Sequence, residues 1–540
     1  MAYHQYRISI MAKVLNIAGR YPAGDDDFEN IREKKCVYID KTAYIYRMTR
    51  EKYVFLSRPR RFGKSLLCST MKAYFEGRKE LFEGLAIETL DKEWKAYPVL
   101  HFNVSTLKDK LPHEMILDLG WQLSRYEDRY GANPQEVTPG MRLQGVITRA
   151  RAQSKERVVV IIDEYDAPVL HYMNDEADKP EVKRIMQEFY TPLKACSADL
   201  RFVFITGITK FSQLSIFSTI NNLSDISMDT AYAAVCGFAQ SELDELLHDD
   251  IEYLAEKRGM TYEECHATLK RQYDGYHFCE DSEDIYNPYS LMKCFQQQKI
   301  KDYWFESGTV TSLLETMRRF DTQVMKLEGA EAEASAFAQP IERMTDALPF
   351  IYQSGYLTIK DYNPVIQSYT LSIPNNEVRT GLMKNILPML SSTSEANNSS
   401  YASRFISQLY NRQYDEAMQT LRAFLASIPY LQQGKDLLQD LSRFESLYQT
   451  YLYIFFCGMG LQVHVEVMMA RGRVDMVMWM GERIFIFEFK MSASAESALA
   501  QIDGRQYIEP WKTGKIQIVK CGARFDAAER TVTQWRFEEI

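Results

Sequence analysis

The chain has 540 residues, 46% hydrophobic and 25% charged, with a formal net charge of −9; that is material for about three or four domains with real cores, and it carries no chain-wide signature of a nucleic-acid binder. Nine scattered cysteines form no C-x-x-C pair, which argues against a disulfide scaffold or structural zinc and for a reducing compartment. No apolar run reaches the roughly 18 residues of a membrane helix, and the opening "MAYHQYRISIMAKVL" has no apolar signal-peptide core, so a cytoplasmic location without a membrane span is expected.

In chain order, residues about 20–50 read as a lead-in, with "KKCVYIDKT" as a candidate strand. Alternating signals follow: strand "KYVFLS" (52–57), a helix over about 64–76, strand "YPVLHFNV" (97–104), helical stretches to about 153, strand "RVVVIID" (157–163), helix "KPEVKRIMQEFYTPLKAC" (179–196) and strand "LRFVFITG" (200–207). Continuously apolar strands alternating with helices predict a parallel sheet covered on both faces. From about 240 the pattern is mostly helical. Residues 341–375 read helix, strand, turn, strand, the shape of a winged-helix-like module or of a small α+β connector. "SSTSEANNSS" (391–400) is the most linker-like stretch. Residues 401–440 lead helically into a C-terminal α/β domain. The division expected is 1–240, 241–400 and 401–540.

"FLSRPRRFGKSLL" joins a strand end to a helix start. Gly63, Lys64 and Ser65 match the end of the Walker pattern G-x-x-x-x-G-K-[ST], with Arg58 in place of the first glycine. In such a loop Gly63 lets backbone N–H groups close on phosphate oxygens, Lys64 neutralises the β/γ-phosphates and Ser65 ligates Mg²⁺. The helix N-terminus favours anions as well, and Arg58, Arg60 and Arg61 add positive charge where a triphosphate would lie. Downstream, "VVVIIDEYD" ends a strand on Asp163 and Glu164. This suits a Walker B element, with Asp163 holding Mg²⁺ and Glu164 polarising water. Thr206 ends the next strand, where a polar sensor residue is expected. Together these predict binding of ATP or GTP. The plainer alternative is a basic turn and a helix-capping acidic cluster.

"GRVDMVMWMGERIFIFEFK" raises a second question, because Glu488 and Lys490 end an otherwise apolar strand and share a face. Unpaired buried charge is costly. Gly481-Glu482 fits a two-residue type II′ hairpin turn. Met480 then faces Arg483, and Asp475 falls opposite Glu488, with cross-strand Cβ atoms about 4.5–5.5 Å apart. Two carboxylates that close call for a cation between them, and oxygen ligands suit Mg²⁺ or Mn²⁺. With Lys490 beside them the arrangement fits phosphodiester hydrolysis. Glu445, on a preceding helix, is a candidate to complete the metal shell, and Gln501 lies on the helix after the strand; a solvated acid and a surface glutamine are the plainer readings. A cross-strand salt bridge of Lys490 is the non-catalytic alternative.

The stretches "YIDKT", "SRPRRFGKSLLCSTMKAYFEG", "VVVIIDEYDAPV", "FITGITKFS", "DGYHF", "YNPYSL", "QSGYLTI", "IPNNEVR" and "GRVDMVMW…IFIFEFK" together resemble bacterial proteins that join an AAA-ATPase-like domain to a C-terminal PD-(D/E)XK nuclease-superfamily domain. In that family "RPRRFGKS" with arginine at position 58 is the usual form. The resemblance implies a RecA/AAA-like P-loop sheet and a restriction-endonuclease-like α/β core. It carries the nuclease motif onto Asp475, Glu488 and Lys490, with Glu445 as the helix acid and Gln501 as the trailing helix residue; Val474 stands where the motif's proline would be. The expected function is ATP binding coupled to Mg²⁺-dependent cleavage of nucleic acid, DNA ahead of RNA, with a homo-oligomer open. The rival is a nucleotide-regulated binding or signalling module with a silent nuclease fold.

Overall fold

The computed structural model describes residues 20–210, 223–307, 311–339, 344–390, 395–428, 441–512, 516–526 and 528–540, with side chains 306–307, 389–390, 395–399 and 441–447 outside that description. The chain forms two compact units, Met1–Asn375 and Asn376–Ile540. The expected division into 1–240, 241–400 and 401–540 stands as a proposal. The linker-like stretch is in part helical, since the helix Glu395–Tyr410 begins inside it.

The first unit is built on strands β1 (Tyr53–Ser57), β2 (Val99–Asn103), β3 (Val158–Asp163), β4 (Leu200–Gly207) and the short β5 (Ser224–Asp225). They lie in the order β2-β3-β4-β1-β5, and every pairing is parallel. Each residue of β1 and of β3 is buried, as continuous apolar strands between helical layers require. One layer is seeded by the helices Pro112–Tyr130, Pro139–Ser154 and Lys179–Tyr190, whose Leu119, Leu123, Val146, Ile147, Ile185 and Phe189 pack on the sheet. The expected helix 179–196 stops at Tyr190 and restarts as Pro192–Ala195, because proline lacks the N–H that an uninterrupted ladder needs.

The expected strand in "KKCVYIDKT" is absent. Asp40 accepts hydrogen bonds from the Thr42 N–H at 2.8 Å, the Thr42 hydroxyl at 2.7 Å and the Ala86 N–H at 2.6 Å, so the segment turns into the helix Thr42–Met48. Its Ile39 joins a second core with Tyr21, Leu243, Ile251, Leu269 and Phe295 of the helical region. That region holds the paired strands β6 (Phe238–Ala239) and β7 (Ile285–Tyr286). The predicted helix, strand, turn and strand are the helix Leu348–Gln353 followed by the hairpin β9 (Thr358–Asn363) and β10 (Ser368–Ser372), with β8 (Ala330–Ala332) added beside β10.

The second unit carries a five-stranded mixed sheet: β11 (Gln462–Met469), β12 (Gly472–Met480), β13 (Arg483–Lys490), β14 (Gln517–Asp526) and β15 (Thr531–Glu539), neighbours in chain order. Only β13–β14 is parallel, and the helix Ala495–Gly504 supplies its crossover. β13 is apolar on both faces because both are covered. Phe485, Phe487 and Phe489 stack in a row, and Phe456 of the helix Leu441–Gly458 stacks on Phe487. Ile484 and Ile486 pack with Leu499 and Ile502 on the opposite side.

Candidate functional sites

β1 delivers the chain to the loop 58–63, and the helix Lys64–Phe75 leaves it. The loop turns through left-handed residues at Arg61 (φ +66°) and Gly63 (φ +87°). A Cβ at Gly63 would meet nothing within 4 Å, so open space lies over the loop at the helix N-terminus. The Lys64 ammonium donates to the carbonyls of Arg58 and Pro59, each at 3.0 Å. Ser65 lies beside Asp163 at the end of β3, close enough to pull its carboxyl down. Asp163 Oδ1 is buried without a hydrogen-bond partner among the described residues. Burial pushes the Asp163 carboxyl up to about 6 and the nearby Glu164 adds to this, while Ser65 and Lys64 oppose it. Glu164 holds a left-handed backbone, φ +52°, which costs a residue with a Cβ about 1–2 kcal/mol.

A cavity of about 300 Å³ opens over this loop, near the lower size of small-molecule sites, ~300 Å³. Arg61, Gly63, Lys64, Ser65 and Glu164 border it, with Asp25, Asp26 and Lys41, and an apolar wall of Pro22, Val37, Ile39, Phe238, Tyr289 and Met292. Asp26 is raised by burial, and Asp25, Asp27 and Glu164 raise it further. Lys41 is tied to both oxygens of Glu242, at 2.5 and 2.6 Å. Sequence reasoning assigned no role to Asp26, Lys41 or Tyr289. "YIDKT" and "YNPYSL" were the available signals, but their nearness to the loop is tertiary.

Arg58 is a correction. Its guanidinium is buried, donates to the carbonyls of Ser57, Ser227, Tyr232 and Ala233, and lies 4.1 Å from the centre of the Phe278 ring. It does not border the cavity, and neither does the exposed Arg60. The whole "RPRRF" segment is gripped from the helical region. Pro59 abuts Gly355, where a Cβ would sit 2.5 Å from the proline ring. The Arg60 carbonyl accepts from the Trp304 indole at 3.3 Å. Arg61 lies 3.6 Å over the Tyr289 ring, and Phe62 meets Tyr276 and Phe278 edge-on. Thr206 donates its hydroxyl to the Leu56 carbonyl at 2.7 Å, tying β4 to β1, and, like Asp163, is not among the residues that border the cavity. Asp166 instead joins the ends of β3 and β4, accepting from the N–H groups of Ile208 and Thr209 and from the Thr209 hydroxyl.

In the second unit the hairpin has the register that the turn demands. Met480 pairs with Arg483, and the ladder continues down to Met476 with Phe487. Gly481 (φ +60°) has a positive φ and Glu482 does not, as a type II′ turn requires. Beyond the last pair come Asp475 and Glu488, 7% and 2% exposed. Asp475 Oδ2 accepts from the Phe489 N–H at 2.7 Å, which brings this carboxylate to the backbone next to Glu488. The Lys490 ammonium donates to Glu488 Oε1 at 2.9 Å and to Gln501 Oε1 at 2.7 Å, and the Gln501 amide donates to Glu488 Oε1. The site thus gathers two buried acids, one ammonium and one amide at one end of the sheet. The Glu445 side chain lies outside the described residues, although its backbone is in the helix Leu441–Gly458. Among the described residues no group of three or more His, Cys, Asp or Glu converges on a point. A pair of carboxylates with waters is nonetheless a donor set that Mg²⁺ accepts. No described helix is long and apolar enough to cross a membrane.

Residues 22–217 match the family described as Predicted AAA-ATPase, and residues 443–535 match the PD-(D/E)XK nuclease superfamily. The uncharacterized protein in the vnfD 5′ region of Azotobacter chroococcum mcd 1 is 32% identical over 541 residues, covering 96% of this chain and 99% of the relative.

Proposed function

The chain belongs to the family in which a predicted AAA-ATPase domain precedes a PD-(D/E)XK nuclease-superfamily domain, and from that premise we propose that it binds ATP over Lys64 and cleaves phosphodiester bonds of nucleic acid at Asp475, Glu488 and Lys490. The observation that carries the cleavage reading is the Lys490 ammonium 2.9 Å from a carboxylate that is 2% exposed, with Asp475 fixed against the adjoining backbone. Structural strands rarely bury such a set, because desolvating charge costs several kcal/mol per ion.

Asp475 and Glu488 would hold Mg²⁺ or Mn²⁺, which when bound supplies a Lewis acid and a more acidic water. Gln501 holds Lys490 and Glu488 in one arrangement through their shared hydrogen bonds. Lys490 then orients the incoming water and stabilises charge on the non-bridging phosphoryl oxygens. In the nucleotide site Lys64 would neutralise the β/γ-phosphates of a bound ATP, Ser65 and Asp163 would hold the accompanying Mg²⁺, and Glu164 would orient water for hydrolysis. Asp163 Oδ1, which has no hydrogen-bond partner among the described residues, and the open space above Gly63 suit that ligand. DNA ahead of RNA is the substrate proposed.

Purified protein incubated with Mg²⁺ and assorted DNA and RNA tests this reading. Glu488→Gln and Lys490→Ala are each expected to lower cleavage by about 10²–10³-fold. If wild type and Lys490→Ala cut equally, the cleavage assignment fails. Binding of ATP and nucleic acid without any cutting would return the second unit to a binding module.

A further inference from the structure

The helix Ala495–Gly504 packs on one face of the second unit's sheet, and the contacts along it can be followed strand by strand. Gly522 of β14 sits beneath its first turn, where a Cβ would meet the Ala495 carbonyl at 2.3 Å. Gln501 reaches Glu488 and Lys490 of β13. One turn further on, Arg505 Nη1 donates at 3.0 Å to the carbonyl of Arg471, in the turn that precedes β12. Gly472, at φ +148°, lets that turn lie against Tyr507, whose hydroxyl would be 2.6 Å from a Cβ there. β12 then carries Arg473, with its side chain 58% exposed, and two residues later Asp475.

Arg471, Arg473 and Arg505 are therefore brought to the β12 side of the acid pair by two elements distant in sequence, and all three reach solvent. Arg473 has an ion-pair partner in Glu466, which leaves the cluster cationic. Two residues of strand span about 6.8 Å, twice the roughly 3.4 Å axial rise per nucleotide of one strand of a duplex, so Arg473 stands within about two nucleotides of Asp475. Arginine presents a planar fork of donors that matches phosphate oxygens.

We propose that Arg471, Arg473 and Arg505 form a phosphate track that holds the nucleic-acid strand on one side of the bond to be cut. The proposal rests on the cleavage reading above for its substrate class. It assigns to these residues binding of the polymer rather than chemistry at the reacting phosphorus.

The full-length protein is titrated, in Ca²⁺ or without metal, into fluorescein-labelled 30-nucleotide single-stranded and duplex DNA, over a series of salt concentrations. Each phosphate contact contributes about 0.7 to 0.9 to the slope of log affinity against log salt. Replacing all three arginines by alanine is expected to lower that slope by about two to three, while replacement by lysine keeps it. Arg536→Ala, at an exposed ion pair with Glu496 on the β15 side, is expected to leave it unchanged. Hydrolysis of bis(p-nitrophenyl) phosphate, too small to touch the track, is expected to stay within about twofold in the alanine variant. An unchanged slope in that variant, or a wild type that binds neither DNA, overturns the track. A wild type that binds with the full slope yet cuts neither DNA nor the small diester keeps the track and sinks the cleavage reading instead. If the alanine variant fails to fold, glutamine at the three positions removes the same charge and is read against lysine.

Discussion

Asp274 shows how burial of one carboxyl group sets a pH dependence. It is 2% exposed, and the Lys270 ammonium lies 3.9 Å away. Burial pushes its carboxyl up to about 6 and Asp284 adds to this, while the Gly275 N–H, Lys270 and Lys360 pull down. The folded value lies above the unfolded one, so folding takes up a proton between about pH 4 and 6. The stability from this group is complete below about pH 4 and is lost as pH rises through about 6. Asp274→Asn removes that loss. Its thermal midpoint is expected to exceed wild type at pH 7.5, by an equivalent of about 1–3 kcal/mol, and to converge with it near pH 4.5. A variant less stable than wild type at pH 7.5 would mean that the ion pair with Lys270 outweighs desolvation. Residue type alone marked Asp163 and Glu164 as chemistry but was silent on Asp274, because burial is decided by neighbours far away in the chain.

The phosphate loop is the element whose reading changed most. Of the charges in "RPRRF", Arg61 borders the cavity while Arg58 and Arg60 do not, and the helical region grips the segment. Arg58 spends its donors on four carbonyls, three of them from residues 227–233. Arg58→Ala leaves those carbonyls buried and is expected to cost about 3–5 kcal/mol, read as a large fall in thermal midpoint. Lys64→Ala is expected to abolish ATP binding with a much smaller fall. A full midpoint in Arg58→Ala with weakened ATP binding would restore Arg58 as a phosphate ligand. The β12–β13 hairpin is the opposite case. Its glycine, its two-residue turn and its alternating faces were all local, so its register was legible before any tertiary contact was known.

At the scale of the whole molecule there are two compact units, and the chain matches two families, one in its N-terminal and one in its C-terminal part. The function proposed joins them through nucleotide binding. Cleavage by the full chain is expected to change at least about threefold when ATP is added, a difference of only about 0.7 kcal/mol, and Lys64→Ala is expected to erase that response. Cleavage indifferent to ATP would leave the two activities independent. Periodicity and strand-end motifs determined the parallel sheet, the Gly63-Lys64-Ser65 turn, the placing of Asp163 and Glu164 at a strand end and the hairpin register from Met480–Arg483 to Met476–Phe487, because each depends on residues adjacent in the chain or across one tight turn. Tertiary structure alone decided that Arg58 and Thr206 are spent on backbone carbonyls, that Asp26, Lys41 and Tyr289 border the cavity, and that Gln501 bridges Lys490 to Glu488. The physical reason is that a side chain's pattern reports what it can bond, whereas which partner lies within hydrogen-bond reach is settled only when distant segments pack.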